Sequence, residues 1–323
     1  MDTKLQKALD RLHRSMVKRG QETSQPDLNQ AVEVTEVVEP MQEEDVFKAN
    51  LVDPSPRDQQ DLMTLPFFSL SKNKRTEPIV YEQAGVKVLI EGRPSVGIAT
   101  IWDADFLIWI AAQLNAALEG GERPSRRIWV VPYHFLRATR RIDPKTTGNY
   151  AYARFLDCLR RLQGTTIETS IKAGGEQIRQ AWSWLESWKV HENEHGRMTG
   201  VEIMLSEWFF RRVVDDRAVL AIHNDYFLLT GGIERWLYRI ARKHCGNSVS
   251  GWSFTLHKLY EKYPPGREFK LFKHNLKLVV KRDCLPEYHT AWETANGVDW
   301  VHFYLRQGAI GERRLPRSFR KPT

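Results

Sequence analysis

Five nitrogen-bearing side chains recur with helical spacing near the C-terminal end of the chain. Lys270, Lys273, His274, Lys277 and Lys281 stand at i, i+3, i+4, i+7 and i+11 in a stretch whose pattern predicts a helix over Arg267–Arg282. Phe269, Phe272, Leu276 and Val279 make a second stripe on that stretch, at i, i+3, i+7 and i+10. The apolar stripe can anchor the helix in its own domain while the basic stripe offers donors to phosphates and base edges. A helix lying in the major groove of DNA needs both. Lys270, Lys273 and His274, with Arg267 just before them, fall in the half expected to approach bases. Lys277 and Lys281 are expected to meet phosphate. No acidic residue interrupts the stripe between Glu268 and Asp283. The competing account is a solvated lysine face, common on surface helices.

Other residue patterns suggest chemistry and then fail its requirements. His191-Glu192-Asn193-Glu194-His195 spells HExxH, which binds zinc when both histidines sit one turn apart on a helix. Here the segment follows an alternating strand and runs into Gly196, so a polar hairpin tip is expected and no metal site. Gly246-Asn247-Ser248-Val249-Ser250-Gly251-Trp252-Ser253 has P-loop spacing, but Trp252 stands where the phosphate-binding lysine belongs. It also follows a helix, so a connecting loop is expected. No Ser/His/Asp or Cys/His arrangement is legible. The expectation is a protein without catalysis, cofactor or metal. Cys158, Cys245 and Cys284 lie far apart without a CxxC, which disfavours a disulfide framework and fits a reducing cytoplasm.

The elements needed to hold the basic helix are predicted around it. A helix over Gly231–Cys245, a short helix over Leu256–Tyr263 and a Pro264-Pro265-Gly266 turn precede it. A hairpin around Asn296-Gly297 follows. This is the order of a winged helix, the helix-turn-helix variant with a β wing. Asn296, at the wing tip, is a candidate for a groove or phosphate contact. The same order is expected earlier: a helix from Ala104 to Leu118 capped by Asp103, a strand Ile128–Val131, a short helix near Tyr133–Thr139 and a helix over Gly148–Leu162. Strands Thr165–Lys172, Gln177–Val190 and Gly200–Leu205 complete it. Arg137, Arg140, Arg141, Lys145 and Arg154 cluster in this first unit as local DNA-binding candidates. Trp182, Trp184 and Trp188 alternate along one expected strand, so one face of it must be covered.

The fold class is therefore α+β, with two tandem winged-helix domains preceded by a disordered N-terminal tail. Residues 1–62 are the acidic tail with a short amphipathic helix near its start, 63–205 the first domain, 206–307 the second and 308–323 a basic C-terminal tail. The charge agrees. Residues 226–323 hold 18 Lys/Arg against 8 Asp/Glu, a balance of +10 in a chain whose net charge is +8. A field this one-sided suits a polyanion, with nucleic acid as the leading candidate. No apolar run is long enough to span a bilayer, so no membrane partner is expected.

Leu65-Pro-Phe-Phe-Ser-Leu-Ser-Lys-Asn-Lys-Arg75, Ile79-Val-Tyr-Glu82 and Ile101-Trp-Asp-Ala-Asp-Phe-Leu-Ile-Trp109 resemble the bacterial plasmid replication initiator protein A family. Tyr152-Ala-Arg-Phe-Leu156 and Leu162-Gln-Gly-Thr-Thr-Ile-Glu-Thr169 continue the resemblance, which runs from about Leu65 to Arg306. It implies an initiator that binds direct repeats (iterons) in double-stranded origin DNA, opens adjacent DNA, and brings in the host initiator and replicative helicase. It also implies a homodimer through the first domain. The alternative is a winged-helix transcription repressor that binds a palindrome as a dimer.

Overall fold

Apolar residues at helical and alternating spacing build the same sequence of elements twice, with a sheet inserted into the first round. The computed structural model describes residues 46–83, 86–142, 149–173 and 176–306 of the 323. The amphipathic helix expected within residues 1–20, the acidic stretch to residue 45, Lys145 and the basic tail beyond Arg306 lie outside the described residues.

The chain enters with β1 (Phe47–Ala49), β2 (Arg57–Gln59) and the hairpin β3 (Ile79–Gln83) and β4 (Val86–Gly92). Then come α1 (Ala104–Glu119), β5 (Arg127–Val130), α2 (Pro132–Ala138) and α3 (Asn149–Gly164). Strands β6 (Thr165–Ala173) and β7 (Glu176–Ser183) precede the hairpin β8 (Leu185–Glu192) and β9 (Met198–Leu205). Helix α4 (Glu207–Val214), capped by Ser206, β10 (Val219–Ala221) and a 3-10 turn at Asn224–Leu228 lead into the second round. That round is α5 (Gly232–His244), β11 (Trp252–Thr255), α6 (Leu256–Lys262), α7 (Phe269–Arg282) and the hairpin β12 (Tyr288–Ala295) and β13 (Val298–Leu305).

In both rounds the strand before the short helix pairs with the last strand of the hairpin, giving the orders β5-β9-β8 and β11-β13-β12. The first round is elaborated. Strand β1 adds parallel to β5, and β6 and β7 leave α3 to extend the β3–β4 hairpin into a separate antiparallel sheet, β3-β4-β6-β7.

Four sequence expectations change here. The stretch 47–61, taken as part of the tail, supplies β1 and β2, and β2 pairs with β10. Its acidity has a structural use: Asp58 and Asp61 are buried against Arg239 and Arg212, at 2.5 and 2.6 Å. Second, the strand expected over Gln177–Val190 breaks at Trp184, and its halves β7 and β8 join different sheets. Trp184 is fully buried against Phe67 and Phe68, and both Trp182 and Trp184 reach Trp208, with centroids 4.9 and 6.2 Å apart, so this side of the chain is covered by the protein's own core although its strands belong to different sheets. Third, Asp103 does not cap α1. Its carboxylate accepts from Thr100 and takes a two-toothed grip from Arg161, both contacts at 2.8 Å. Finally, β11 begins at Trp252 and takes in the last two residues of the P-loop-like segment, where only a loop was expected.

Buried Arg–Asp pairs bind the two rounds together. Asp105 on α1 meets Arg235 on α5 at 2.6 Å and Arg141 at 3.0 Å, and Arg235 also donates to the carbonyls of Leu229 and Phe227. Burial opposes the charge on Arg239, but the adjoining Asp58 carboxylate overrides it and holds the guanidinium ionised. Removing one member of such a pair leaves an uncompensated buried charge and costs about 3–5 kcal/mol. The helix start of α5 fits equally tightly: a Cβ on Gly232 would lie 2.0 Å from the carbonyl oxygen of Leu70, so only glycine is tolerated.

Candidate nucleic-acid interface

Helix α7 is fixed from three sides. Phe272, Leu276, Val279 and Val280 are buried, and Phe272 packs among Tyr260, Tyr263 and Trp236 with centroids 4.8–6.2 Å away. Val280 therefore joins the anchoring stripe, while Phe269 packs at its edge against Tyr260. Phe269 is only half-buried and stacks on His257 at 4.7 Å. Before the helix, the Tyr260 hydroxyl donates to the carbonyl of Arg267 at 2.6 Å, and the Arg75 guanidinium donates to the Pro265 carbonyl at 3.2 Å. After it, Asp283 takes the left-handed conformation (φ 46°), and its carboxylate accepts from the Thr290 N–H at 2.7 Å and sits 2.6 Å from His289. The helix end is thus tied to the first strand of the wing.

The opposite side of α7 carries Lys270, His274, Lys277 and Lys281, all exposed. Lys273 is half-buried, and its Nζ meets Asp299 of β13 at 2.5 Å. Asp299 also accepts from Thr294 at 2.7 Å and from the Trp292 indole at 3.2 Å. The hydrogen bond from Lys273 holds its carboxyl below the ordinary 3.8. Lys277 lies 4.8 Å from the centroid of the Trp292 ring, a cation–π arrangement. No acid breaks the stripe along the helix, but the wing brings one to it. That contact joins residues 26 apart, so helical spacing could not reveal it.

At the wing tip Asn296 and Gly297 have φ of 50° and 76°, the left-handed pair of a two-residue hairpin turn, and Asn296 is exposed.

The first-unit candidates separate. Arg137, Arg140 and Arg154 are exposed, Arg154 lying 5.5 Å from the Tyr150 ring on α3. Arg140, two residues beyond the end of α2, has φ of 58°. Arg141 is half-buried and committed to Asp105 and the Trp102 carbonyl, so its guanidinium is a structural group. Between the α2–α3 corner and the segment around Lys72 and Lys74 lies a cleft of about 430 Å³, with Arg140 and Arg154 at its wall. The HExxH stretch is the end of β8 and the turn beyond it: the Asn193 side chain accepts from the N–H groups of His195 and Arg197 at 3.1 and 2.9 Å. Its histidines do not share a helix face.

Sequence reasoning missed Asp299 and Trp292, which act on the lysines across the wing. It also passed over Leu271 and Leu278, which α7 leaves 48% exposed beside the basic stripe. Both fall outside the apolar period of the helix, and that departure was the available signal.

The model of the Replication initiator protein A family matches residues 57–290, about three quarters of the chain. The chain belongs to that family. This initiator is 34% identical over 232 residues to a protein of Wigglesworthia glossinidia brevipalpis provisionally named a replication protein, spanning 70% of the chain and 81% of the relative. Its fold is similar to the crystal structure of domains 2 and 3 of RctB: the TM-score is 0.55 at 14% identity, covering 76% of this chain and 98% of the other. The match to the sequence family begins at β2, so the segment that pairs with β10 lies inside it. No helix among the described residues is long and apolar enough to cross a membrane.

Proposed function

We propose that this replication initiator acts by binding, without catalysis, as a two-winged-helix reader of direct repeats in double-stranded origin DNA. The observation that carries the reading is the outer face of α7. Four exposed basic side chains stand on one face, over a core-anchored stripe, in the recognition position of a helix–strand–helix–helix–wing unit. Lys270 and His274 lie toward bases and Lys277 and Lys281 toward phosphates, with Asn296 reaching the backbone from the wing. Arg137, Arg140 and Arg154 give the first unit a smaller set of donors for a neighbouring groove. Two units in tandem cover about two turns of duplex, roughly 20 base pairs. Family membership supports the later steps of the same proposal: opening of adjacent DNA, recruitment of the host initiator and replicative helicase, and pairing of two copies through the first unit.

The test is fluorescence anisotropy with a duplex carrying the repeats of the cognate origin against a scrambled duplex, from about 50 to 300 mM salt. Six to eight phosphate contacts give a slope of log affinity on log salt of roughly −5 to −7. Preference for the repeats that persists at the higher salt supports base readout. Equal binding to both duplexes overturns it, and preference for inverted over direct repeats turns the reading toward a dimeric repressor.

A further inference from the structure

We infer that Leu271 and Leu278 read the 5-methyl groups of thymine in the major groove. The inference rests on the DNA-binding reading of α7 and deepens it by naming the base feature recognised. Each leucine is 48% exposed, although α7 buries four other apolar residues in the core. They stand seven positions apart, two helical turns, and so share one flank of the helix and lie about 10 Å from each other along it.

The outer face of α7 has three bands. Lys273 and Lys277 lie toward the wing and are engaged by Asp299 and Trp292. Lys270, His274 and Lys281 occupy the centre. The leucines form the flank away from the wing, and beyond them Arg282 is tied to Glu234 of α5 at 2.7 Å. An apolar flank bordered by cations needs an occupant that is apolar at close range and anionic around it. The major groove supplies this: its walls are phosphates, and the thymine methyl is the apolar group on its floor. A second copy of the chain fits poorly, because packing this flank on itself would bring Lys270, Lys281 and their counterparts together. At 3.4 Å per base step, a 10 Å separation spans about three base pairs, so the two leucines address two thymines a few steps apart.

The test uses the full chain and the duplex it enriches from a random-sequence pool. Each thymine is replaced singly by deoxyuridine, which lacks only the methyl, and affinity is measured by anisotropy. For the wild type, one or two positions should weaken binding about fourfold each, the worth of burying one methyl group. L271A/L278A should bind the thymine duplex more weakly and be indifferent to the swap at those positions. If no swap affects the wild type, or if the loss persists undiminished in L271A/L278A, the inference is overturned while sequence-specific binding stands. Failure to enrich any duplex overturns the DNA reading itself. A change of oligomeric state in L271A/L278A, by sedimentation, with thymine discrimination intact assigns the flank to a protein contact and overturns the inference. The uridine series on wild-type protein needs no variant to fold, and circular dichroism checks the helix content of the variant.

Discussion

Helices α3 and α7 occupy equivalent places in the two rounds of the fold, each after a short helix and before a hairpin that pairs in the same strand order. Both carry several cations. They differ in where those cations go. On α3 and the corner before it, Arg161 is committed to Asp103, Arg141 to Asp105 and Arg160 to Asp157. On α7 the described contacts leave Lys270, His274 and Lys281 facing outward, while the acid that reaches Lys273 comes from the wing. Of these two helices, α7 is the one that keeps a row of cations outside ion pairs among the described residues. Arginine holds the fold together in both units, through Arg141 and Arg161 in the first and Arg235 and Arg239 in the second, whereas Lys270 and Lys281 of α7 make no ion pair among the described residues.

The largest effect expected from this contrast is on stability. Asp105→Ala leaves Arg235 buried without its carboxylate and removes a partner of Arg141, so urea unfolding should show a loss of about 3–5 kcal/mol. A loss below about 1 kcal/mol would mean that these arginines can be satisfied elsewhere, and the contrast would weaken.

Next comes affinity. K270A/K281A should lower the slope of log affinity on log salt by about 2 units, with Lys270→Ala also relaxing base discrimination by about 1–3 kcal/mol. Lys281→Ala alone should weaken all sequences alike. The counterpart R137A/R140A/R154A should cost less per charge removed. Equal losses per charge in the two sets would erase the distinction between the units.

A smaller effect is expected at the wing. Asp299→Asn releases Lys273 and removes a negative charge beside the proposed groove, so non-specific DNA binding should strengthen by about threefold, the scale of one exposed charge pair. Because the folded state holds the Asp299 carboxyl below 3.8, its contribution is present above that value and fades only as pH falls through the lower folded value. Wild type and Asp299→Asn should accordingly keep a constant affinity ratio between about pH 6 and 8. A ratio that changed across that range would point to another titrating group.

The smallest effect belongs to an exposed pair. Asp157→Ala breaks a 2.8 Å contact with Arg160 in which both side chains are about half exposed, and unfolding stability should move by no more than about 0.5 kcal/mol. A shift above 1 kcal/mol would show that α3 depends on surface charge pairing, in contrast to its buried pairs.

Much of the second unit was legible because its signals are local. The spacing of Phe272, Leu276 and Val279 sets the buried face of α7, and Asn296-Gly297 demands the hairpin turn found there. The basic stripe follows from the same period. The first unit was less legible because an inserted pair of strands separates α3 from its hairpin, and the alternation across Trp182, Trp184 and Trp188 looks continuous where the chain changes sheets. Strand β11 was missed because four residues between a glycine-rich turn and a helix carry too little pattern to stand out.

The amino-acid sequence by itself determined the principal helices and hairpins, the order in which they follow one another and the concentration of positive charge in the last hundred residues, since each depends on residues near one another or on simple counting. Its resemblance to a family of initiators also follows from residues in short runs. Only the tertiary structure decided which charges remain available. Asp58 reaches Arg239, Asp105 reaches Arg235 and Asp299 reaches Lys273 across 181, 130 and 26 positions of chain. Burial makes Asp58 and Asp105 need a cation, but the chain path alone decides which cation each of the three carboxylates meets. For the same reason, the path leaves Leu271 and Leu278 at the surface although their composition would suit the core.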